Sequence, residues 1–524
     1  MYQSVENRIR LLPEEITQAL AAGGNIGLEK ECLRVSEDGS ISQKPHPRGL
    51  GSALTHPYIT TDYSEALAEL ITPPFPRLEE SLAFLRDTQK FVYDHLEDEY
   101  LWATSMPCVL AGGDNIPLAY YGTSHAGVMK NVYRRGLGHR YGRTMQVIAG
   151  VHFNFSFDDN LWPEYQAFNG RRGELRPFID GAYLGLIRNL QRFGWLIPYL
   201  FGASPAVCKS FLGDKSTDLD EYDRTTYFKP FATSLRMGDI GYTNSKEQGV
   251  GIKANYNSLD SYVESLTHAI ETPCPMWQKI GVKVDGSYEQ LNANILQIEN
   301  EYYSTVRPKQ VLEGFEKPTL ALRRRGVRYI ELRSLDVNAF HPLGVSEQQL
   351  HFLRAFMTFC LLLESPPINV EERLEIDQNI GGAAHRGRDP SLRLSRNGRE
   401  IALRDWAREL LQAMQPVCEM MDRDDPQQPC CTALGEQLAC VEDPALTPSA
   451  RMLQEMGKRG EGFFHFAKRK SLQHRDYFSG FVPSPERYQL LADEAERSLM
   501  LQQEMEAGDS GTFDQFLEAY FAQA

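Results

Sequence analysis

Residues 25–35 place two carboxylates, Glu29 and Glu31, two positions apart in a stretch that otherwise favours a β-strand. Side chains on a strand alternate between its faces, so these two carboxylates point the same way, roughly 6 to 7 Å apart. Like charges at that distance repel, and oxygen ligands on one rigid face are what a hard divalent cation prefers. An exposed edge strand with both acids in water is the alternative that the pattern leaves open.

The clearest strand pattern covers residues 147–157, where apolar side chains alternate with small or polar ones. One face of this strand is predicted to pack into a core, and the other places His152, Asn154 and Ser156 in a row. A polar row on a sheet is typical of a functional cleft. The alternative is a structural histidine that only donates a hydrogen bond, unless carboxylates lie nearby.

Three further acids occur in similar surroundings. Asp62 and Glu69 lie among apolar neighbours, and the residues that follow Glu69 favour a strand. Residues 329–337 alternate so that Glu331 and Arg333 share a face, which puts an acid beside a permanent cation. A solvated polar face is again the alternative.

Together these segments predict an α+β fold, in which a curved, mostly antiparallel sheet forms an active-site cleft surrounded by helices. If the polar faces converge, they build a site for several cations from oxygen ligands and one imidazole. Such a donor set suits Mg²⁺ or Mn²⁺ better than zinc. Cations of this kind often hold a nucleotide triphosphate, and Arg333 is then placed to stabilise charge on a transferring phosphoryl group.

Two polar segments of the same region are predicted to be irregular or extended. Residues 131–143 carry four arginines and two tyrosines among glycines, which predicts a turn-rich basic segment that could grip carboxylates or phosphates. A solvated loop is the alternative. Residues 296–303 alternate and predict a strand that aligns Gln297, Glu299, Glu301 and Tyr303 on one face.

The chain changes character near residue 347. Helical periodicity predicts helices over residues 347–363, 402–415 and 485–506, separated by a loop-rich insertion over residues 365–395. We therefore expect a catalytic region of residues 1–346 and a mainly helical region of residues 347–524 packed on it.

Composition excludes some classes of protein. A formal net charge of −15 argues against nucleic-acid binding, because that affinity depends on Lys and Arg.

The N-terminus lacks the apolar core of a signal peptide and no apolar window is long enough for a membrane span, so we expect a cytoplasmic protein. We also expect a monomer. Nine cysteines argue against a secreted disulfide framework. A zinc site is a minor alternative for the group Cys418, Cys430, Cys431 and Cys440.

The motifs in order resemble those of the bacterial glutamate-cysteine ligases, whose catalytic fold is similar to that of glutamine synthetase. The resemblance spans residues from about 25 to about 350 and weakens after about Pro366. It rests on many short motifs, among them Gly27-Leu28-Glu29-x-Glu31, Ile59-Thr60-Thr61-Asp62, Tyr121-Gly122-Thr123-Ser124, Gly150-Val151-His152-x-Asn154, Ala232-Thr233-Ser234-Leu235-Arg236, Gly241-Tyr242-Thr243-Asn244 and Leu296-Gln297-Ile298-Glu299-Asn300-Glu301.

This resemblance implies ATP-dependent ligation of the γ-carboxylate of L-glutamate to the amino group of L-cysteine, the first step of glutathione synthesis. It implies Mg²⁺ ligands at Glu29, Glu31, Asp62, Glu69, His152 and Glu331. Glu331 and Arg333 would be the catalytic pair. The resemblance further implies substrate-binding roles for Tyr133, Arg134, Arg236, Tyr242 and Tyr303.

Three other functions stay open at this stage. A ligase of the same fold could use a different amine acceptor, and a metal-dependent hydrolase could use the same acids without ATP. A helical interaction protein with a degenerate site is the third. Release of ADP or phosphate in the presence of different amines separates the first two from the predicted ligase.

Overall fold

A computed structural model describes residues 2–107, 109–213, 215–241 and 252–523. Its main feature is an open antiparallel sheet of seven strands among these residues, in the order β6–β7–β5–β1–β3–β2, with β4 paired to the end of β1. The strands are β1 Gly24–Ser36, β2 Ile59–Thr61, β3 Leu67–Ile71, β4 Glu99–Leu101, β5 Gly150–Phe157, β6 Val306–Lys309 and β7 Tyr329–Asp336. The predicted α+β class and antiparallel sheet are confirmed.

Helices surround the sheet and make up the C-terminal part of the chain. They are α1 Gln3–Leu11, α2 Glu14–Ala22, α3 Leu78–Asp94, α4 His125–Tyr141, α5 Leu161–Phe168, α6 Leu175–Arg192, α7 Leu196–Phe201, α8 Lys209–Leu212, α9 Leu259–Glu271, α10 Pro275–Gln278, α11 Pro318–Arg325, α12 Glu347–Leu362, α13 Val370–Arg386, α14 Leu403–Met421, α15 Pro429–Glu442, α16 Pro448–Arg459, α17 Phe463–Gly480, α18 Pro485–Gly508 and α19 Phe513–Phe521. Small hairpins pair Lys283–Val284 with Ser287–Tyr288 and Arg393–Arg396 with Arg399–Ala402, and a small three-stranded sheet joins Ala206–Cys208, Asp220–Glu221 and Thr226–Phe228.

Alternation along β1 and β5 divides the sheet into an apolar face and a polar face. Phe153 and Phe155 are fully buried on the apolar face. Lys30, between Glu29 and Glu31, also points to this face, where its Nζ donates to Gln89 Oε1 of α3 at 2.7 Å. The acids are thereby left on the opposite face, as a period of two requires.

Three predicted segments are wrong. Residues 131–141 of this segment belong to helix α4, which begins after the N-cap Ser124. Residues 296–303 form no strand but include a 3₁₀ turn, Glu299–Glu301, whose acids are buried. The predicted loop-rich insertion contains α13, capped by Asn369, whose Oδ1 accepts from Glu372 N at 2.8 Å.

In the first two segments the physical reason is that tertiary contacts outweigh local propensity, whereas α13 has a local signal in its N-cap Asn369. In α4, Gly136 lowers helix propensity but admits Gln297, whose Oε1 would lie 2.2 Å from an added Cβ. At residues 299–301, Glu301 turns inward to pair with Arg140. The predicted strand over 147–157 is confirmed from Gly150, after a 3₁₀ turn at Thr144–Val147.

One hydrophobic core contains residues from both halves of the chain. Phe201 of α7 contacts Phe352 of α12 with ring centroids 5.3 Å apart, and Trp195 contacts Trp406 at 4.9 Å. The predicted division into a catalytic region of residues 1–346 and a helical region of residues 347–524 stays a prediction.

No described helix is both long and apolar enough to cross a membrane. No metal-ligand group found among the described residues includes the four C-terminal cysteines, whose thiols are free.

Candidate active site

The strand register brings the predicted acids and the histidine onto neighbouring strands. Glu31 of β1 lies opposite Glu69 of β3, and Glu29 lies opposite His152 of β5. On the other side of β5, Glu331 of β7 lies opposite Asn154. The polar faces of four adjacent strands therefore form one surface.

His152 is at the centre of this surface. Its Nδ1 lies 3.0 Å from Glu29 Oε2 and 3.6 Å from Glu331 Oε1, and its Nε2 lies 3.8 Å from Glu31 Oε1. Asn154 Nδ2 donates to Glu29 Oε1 at 2.8 Å, which orients that carboxylate. One ligand atom from each of Glu29, His152 and Glu331 lies within 4.8 Å of the others, so these three residues could hold a metal ion.

The carboxylates of the surface differ in their electrostatics. Burial raises the pKa of Glu69 well above its usual value, and the charges of Glu29, Asp62 and Glu31 raise it further. Burial also raises the pKa of Glu31. Glu331 is the opposite case: burial acts to raise its pKa, but the nearby Arg333 and Lys309 hold it well below the usual value. The surface therefore combines an ionised acid with acids whose charges repel one another.

A β-bulge positions Arg333. Leu332 pairs with Phe153 and Leu335 with Val151, so Arg333 and Ser334 lie together opposite His152. A bulge of this kind changes the direction of a side chain at a sheet without ending the ladder. Arg333 Nη1 lies 2.7 Å from Glu331 Oε1.

Arg236 supports the bulge from the 3₁₀ turn Leu235–Met237. Its Nη2 donates to the carbonyl oxygen of Arg333 at 2.9 Å, and its Nη1 lies 3.7 Å from Asp336 Oδ1. The guanidinium also lies close above Gly150, where an added Cβ would be 2.1 Å from Nη2. Only glycine admits Arg236 at this distance.

Asp62, Tyr133 and Arg134 lie to the side of the carboxylate surface, where α4 meets the end of β2. Arg134 Nε donates to the Asp62 carbonyl oxygen, and its Nη2 lies 3.8 Å from Asp62 Oδ1. The guanidinium stacks over the ring of Tyr121 at 4.6 Å. The carbonyl oxygen of Tyr133 accepts from Gln297 Nε2 at 3.2 Å.

A cleft of about 660 Å³ opens beside the surface and is lined by Arg236, Arg333 and Tyr303. Tyr303 OH donates to Gln146 Oε1 at 3.1 Å. Tyr242 lies outside the described residues. Three predicted side chains thus line one cleft, and Arg333 connects it to the acids through its contact with Glu331.

Sequence reasoning missed part of this cleft. Gln146, a buried residue that accepts a hydrogen bond from the cleft residue Tyr303, has no signal in the sequence. Helix α13 contributes Arg373, Asp377 and His385 to the lining, although its segment was predicted to be a loop. The apolar spacing of Ile376, Ile380, Ala383 and Ala384 was the signal that could have identified this helix.

Comparisons with known proteins agree with the predicted family. A family model described as glutamate-cysteine ligase matches residues 9–382. A glutamate-cysteine ligase of Alcanivorax borkumensis is 47% identical over 522 residues, covering 99% of each chain. The family model ends at residue 382, whereas the alignment with this relative continues to the C-terminal part of the chain.

Solved structures give the same result. The crystal structure of a glutamate-cysteine ligase from Francisella tularensis in complex with AMP superimposes with a TM-score of 0.89 at 34% identity, covering 95% of this chain and 98% of that one. A bifunctional glutathione synthetase from Pasteurella multocida superimposes with a TM-score of 0.71 at 25% identity, covering 88% of this chain and 54% of that one. The chain described here belongs to the glutamate-cysteine ligase family.

Proposed function

We propose that this protein joins the γ-carboxylate of L-glutamate to the amino group of L-cysteine at the expense of ATP, giving γ-glutamylcysteine. The observation that carries the proposal is the cluster of Glu29, His152 and Glu331 beside Arg333, at the edge of a cleft lined by further cations. The family to which the chain belongs has the same activity in its name.

The donor set fits Mg²⁺. It consists of carboxylates and one imidazole, and Glu331 Oε2 is buried without a hydrogen-bond partner. The raised pKa of Glu69 reflects burial and repulsion among carboxylates, which a cation would relieve. Bound there, Mg²⁺ would neutralise charge on the phosphates of ATP. The residues proposed to hold the Mg²⁺ ions are Glu29, Glu31, Asp62, Glu69, His152 and Glu331.

The reaction needs activation because a carboxylate is a poor electrophile towards an amine. An oxygen of the glutamate γ-carboxylate attacks the terminal phosphorus of ATP, the bond to ADP breaks, and γ-glutamyl phosphate forms. The nitrogen of cysteine then attacks the acyl carbon, phosphate leaves with the bonding electron pair, and the amine loses a proton. Arg333, held by Glu331, stabilises negative charge on the phosphoryl group in the first step.

The remaining roles follow from position and charge. Arg236 and Tyr303 line the cleft and are proposed to bind the amino-acid substrates, together with Tyr133 and Arg134 of α4. Tyr242 is proposed for the same role on the family motif alone. We further propose that residues 1–346 carry the catalytic residues, with α13 completing the lining of the cleft, and that the protein acts as a cytoplasmic monomer. Light scattering of the purified protein tests the oligomeric state.

The primary experiment measures phosphate release from ATP by purified protein with Mg²⁺ and L-glutamate, with and without L-cysteine. We expect cysteine-dependent release and a product with the mass of γ-glutamylcysteine. Release with 2-aminobutyrate or ammonia in preference to cysteine would retain the ligase and change the acceptor. Substrate hydrolysis without ATP would instead indicate a metal-dependent hydrolase.

Two substitutions test the metal ligands. Glu29→Gln and Glu331→Gln remove one charge each while keeping side-chain size, and each is expected to abolish ligation in a folded protein. Glu164→Gln, at an exposed position of α5, is the matched control and should retain full activity. An active Glu331→Gln enzyme with an unchanged Mg²⁺ dependence would contradict the metal assignment.

A further inference from the structure

Helix α4 is held in place by the end of the chain. We propose that residues 502–523, which we call the C-terminal brace, position α4 and thereby Arg134, Tyr133 and Asp62 for substrate binding. The inference rests on the proposed function, because it concerns residues assigned there to substrate and metal binding. The residues of the brace are positioning residues and touch no substrate themselves.

The first contact lies at the N-terminal end of α4. Glu506 Oε1, from the last turn of α18, accepts from Thr123 N at 2.8 Å, and Asp509 accepts from His125 N. Both carboxylates therefore satisfy backbone N–H groups at the positive end of the helix dipole. Gly122 permits this approach, because an added Cβ would lie 2.2 Å from Glu506 Oε1.

The second contact lies along the side of α4. Leu517 and Tyr520 of α19 are buried in a small apolar cluster with Met129 and Val132 of α4, and Tyr133 packs against the same cluster. This cluster is separate from the main core. The apolar side chains of this cluster therefore stay buried only while α19 remains packed against α4.

Helix α19 is itself fixed at both ends. Asp514 in its first turn lies 2.7 Å from Lys283 Nζ. At the other end, Lys317 Nζ donates to the carbonyl oxygens of Phe521 and Gln523 at 2.7 and 3.0 Å. Lys317 is a buried ammonium at the negative end of the helix, where a cation is stabilised.

A short path connects the brace to the site. Tyr121 directly precedes the Gly122-Thr123 pair that contacts Glu506, and its hydroxyl donates to the carbonyl oxygen of Asp62 at 2.8 Å. The ring of Tyr121 also forms a cation–π contact with the guanidinium of Arg134. Displacing the brace is therefore expected to move Asp62 and Arg134 together, because both contact Tyr121.

The consequence is a specific kinetic effect. Arg134 and Tyr133 are proposed to bind the amino-acid substrates before and during the reaction alike, so loosening α4 should weaken substrate binding more than it slows the chemical step. The Glu331–Arg333 pair is held instead by the pairing of β7 with β5 and by Arg236. We therefore expect KM for L-glutamate or L-cysteine to rise by a larger factor than KM for ATP, because Asp62 is only one of six residues proposed as metal ligands, whereas Tyr133 and Arg134 both lie on α4.

The test uses the full-length protein with single substitutions. Leu517→Ala removes apolar contact with α4, and Glu506→Ala removes the anionic cap. Each should raise KM for an amino-acid substrate about tenfold and KM for ATP by a clearly smaller factor, with kcat within about twofold of wild type. Leu517→Met, which conserves volume, should restore the wild-type KM.

The matched control is Leu491→Ala in α18, which deletes a fully buried leucine that belongs to the main core and not to the cluster beside α4. It should lower stability without changing KM. Hydrogen exchange over residues 125–141 adds a readout that needs no substrate: exchange should accelerate in Leu517→Ala and Glu506→Ala and stay unchanged in Leu491→Ala.

Equal KM values and equal exchange over residues 125–141 in Leu517→Ala and Leu491→Ala would overturn the brace. Because Glu506→Ala changes a solvent-facing contact, it keeps the test informative if Leu517→Ala does not fold. A wild-type protein that fails to make γ-glutamylcysteine would refute the proposed function. The exchange measurement would still decide the brace in that case.

Discussion

Substitution of Glu301 by Gln should destabilise the protein strongly, because this carboxylate neutralises a buried cation. Glu301 and Arg140 form an ion pair at 2.8 Å in which both side chains are 0% exposed. Glu301 Oε1 also accepts from Tyr141 OH at 2.8 Å, and Oε2 accepts from Gln297 N at 2.7 Å. Each of the two oxygens therefore has its own donors.

The magnitude follows from this arrangement. An amide presents one oxygen and one NH₂ group, so in either orientation the NH₂ group of the substituted side chain would face a donor. A buried donor left without an acceptor costs about 1–3 kcal/mol. Breaking a buried ion pair on one side costs about 3–5 kcal/mol in total, because the charge of Arg140 is left uncompensated.

Thermal unfolding at a fixed scan rate measures the effect. At about 2.1 cal/mol/K per residue, the unfolding entropy of 524 residues is about 1.1 kcal/mol/K. A loss of about 3–5 kcal/mol thus lowers Tm by about 3–5 °C. The double variant Arg140→Met with Glu301→Gln should recover part of this loss, since it leaves no unpaired charge.

Glu164→Gln at an exposed site serves as the control and should leave Tm within about 1 °C of wild type. A Glu301→Gln protein with the same Tm as this control would refute the reasoning, because it would show that the buried arginine needs no counter-charge. A double variant less stable than Glu301→Gln would refute the charge argument in particular.

Two further predictions concern pH and metal. Burial and neighbouring carboxylates raise the pKa of Glu69, so its contribution to stability is lost as pH rises through the folded pKa. In metal-free protein, the Tm of Glu69→Gln relative to wild type should therefore increase as pH rises, and the variant should gain less Tm than wild type on adding Mg²⁺. A Tm difference in EDTA that does not change with pH would contradict this. Burial, with the charges of Lys30 and His341, lowers the pKa of His474 to about 3, so the stability from its neutral form is complete above its ordinary 6.5 and is lost as pH falls towards 3. Tm measured from pH 6.5 down to about pH 4.5 should fall less steeply in His474→Gln than in wild type, and parallel slopes would disprove it.

The strands that carry the acids could be predicted because their signal is local. In β1, β5 and β7 the side chains alternate with a period of two, and this assigns Glu29, Glu31, His152 and Glu331 to polar faces from a few residues each. The family motifs added the chemistry. Both inferences use only neighbours along the chain.

The segments that were predicted wrongly have weak or misleading local signals. Glycines in α4 and α13 imitate loop composition, yet Gly136 lies in a helix because the Gln297 side chain packs against it. Alternation over residues 296–303 imitates a strand. The buried pairing of Glu301 with Arg140, from a helix 161 residues earlier, decides otherwise.

The sequence by itself determined which side chains share a strand face, the sign of the charges, and membership of a ligase family. Only the tertiary structure decided that those faces meet. Glu29 and His152 are 123 residues apart in the chain, and the pairing of β1 with β5 brings them to 3.0 Å. Strand register is set by packing of the apolar face across the whole sheet, which no local window contains. The contribution of α13 to the cleft has the same origin, because it depends on where a helix docks after it has formed.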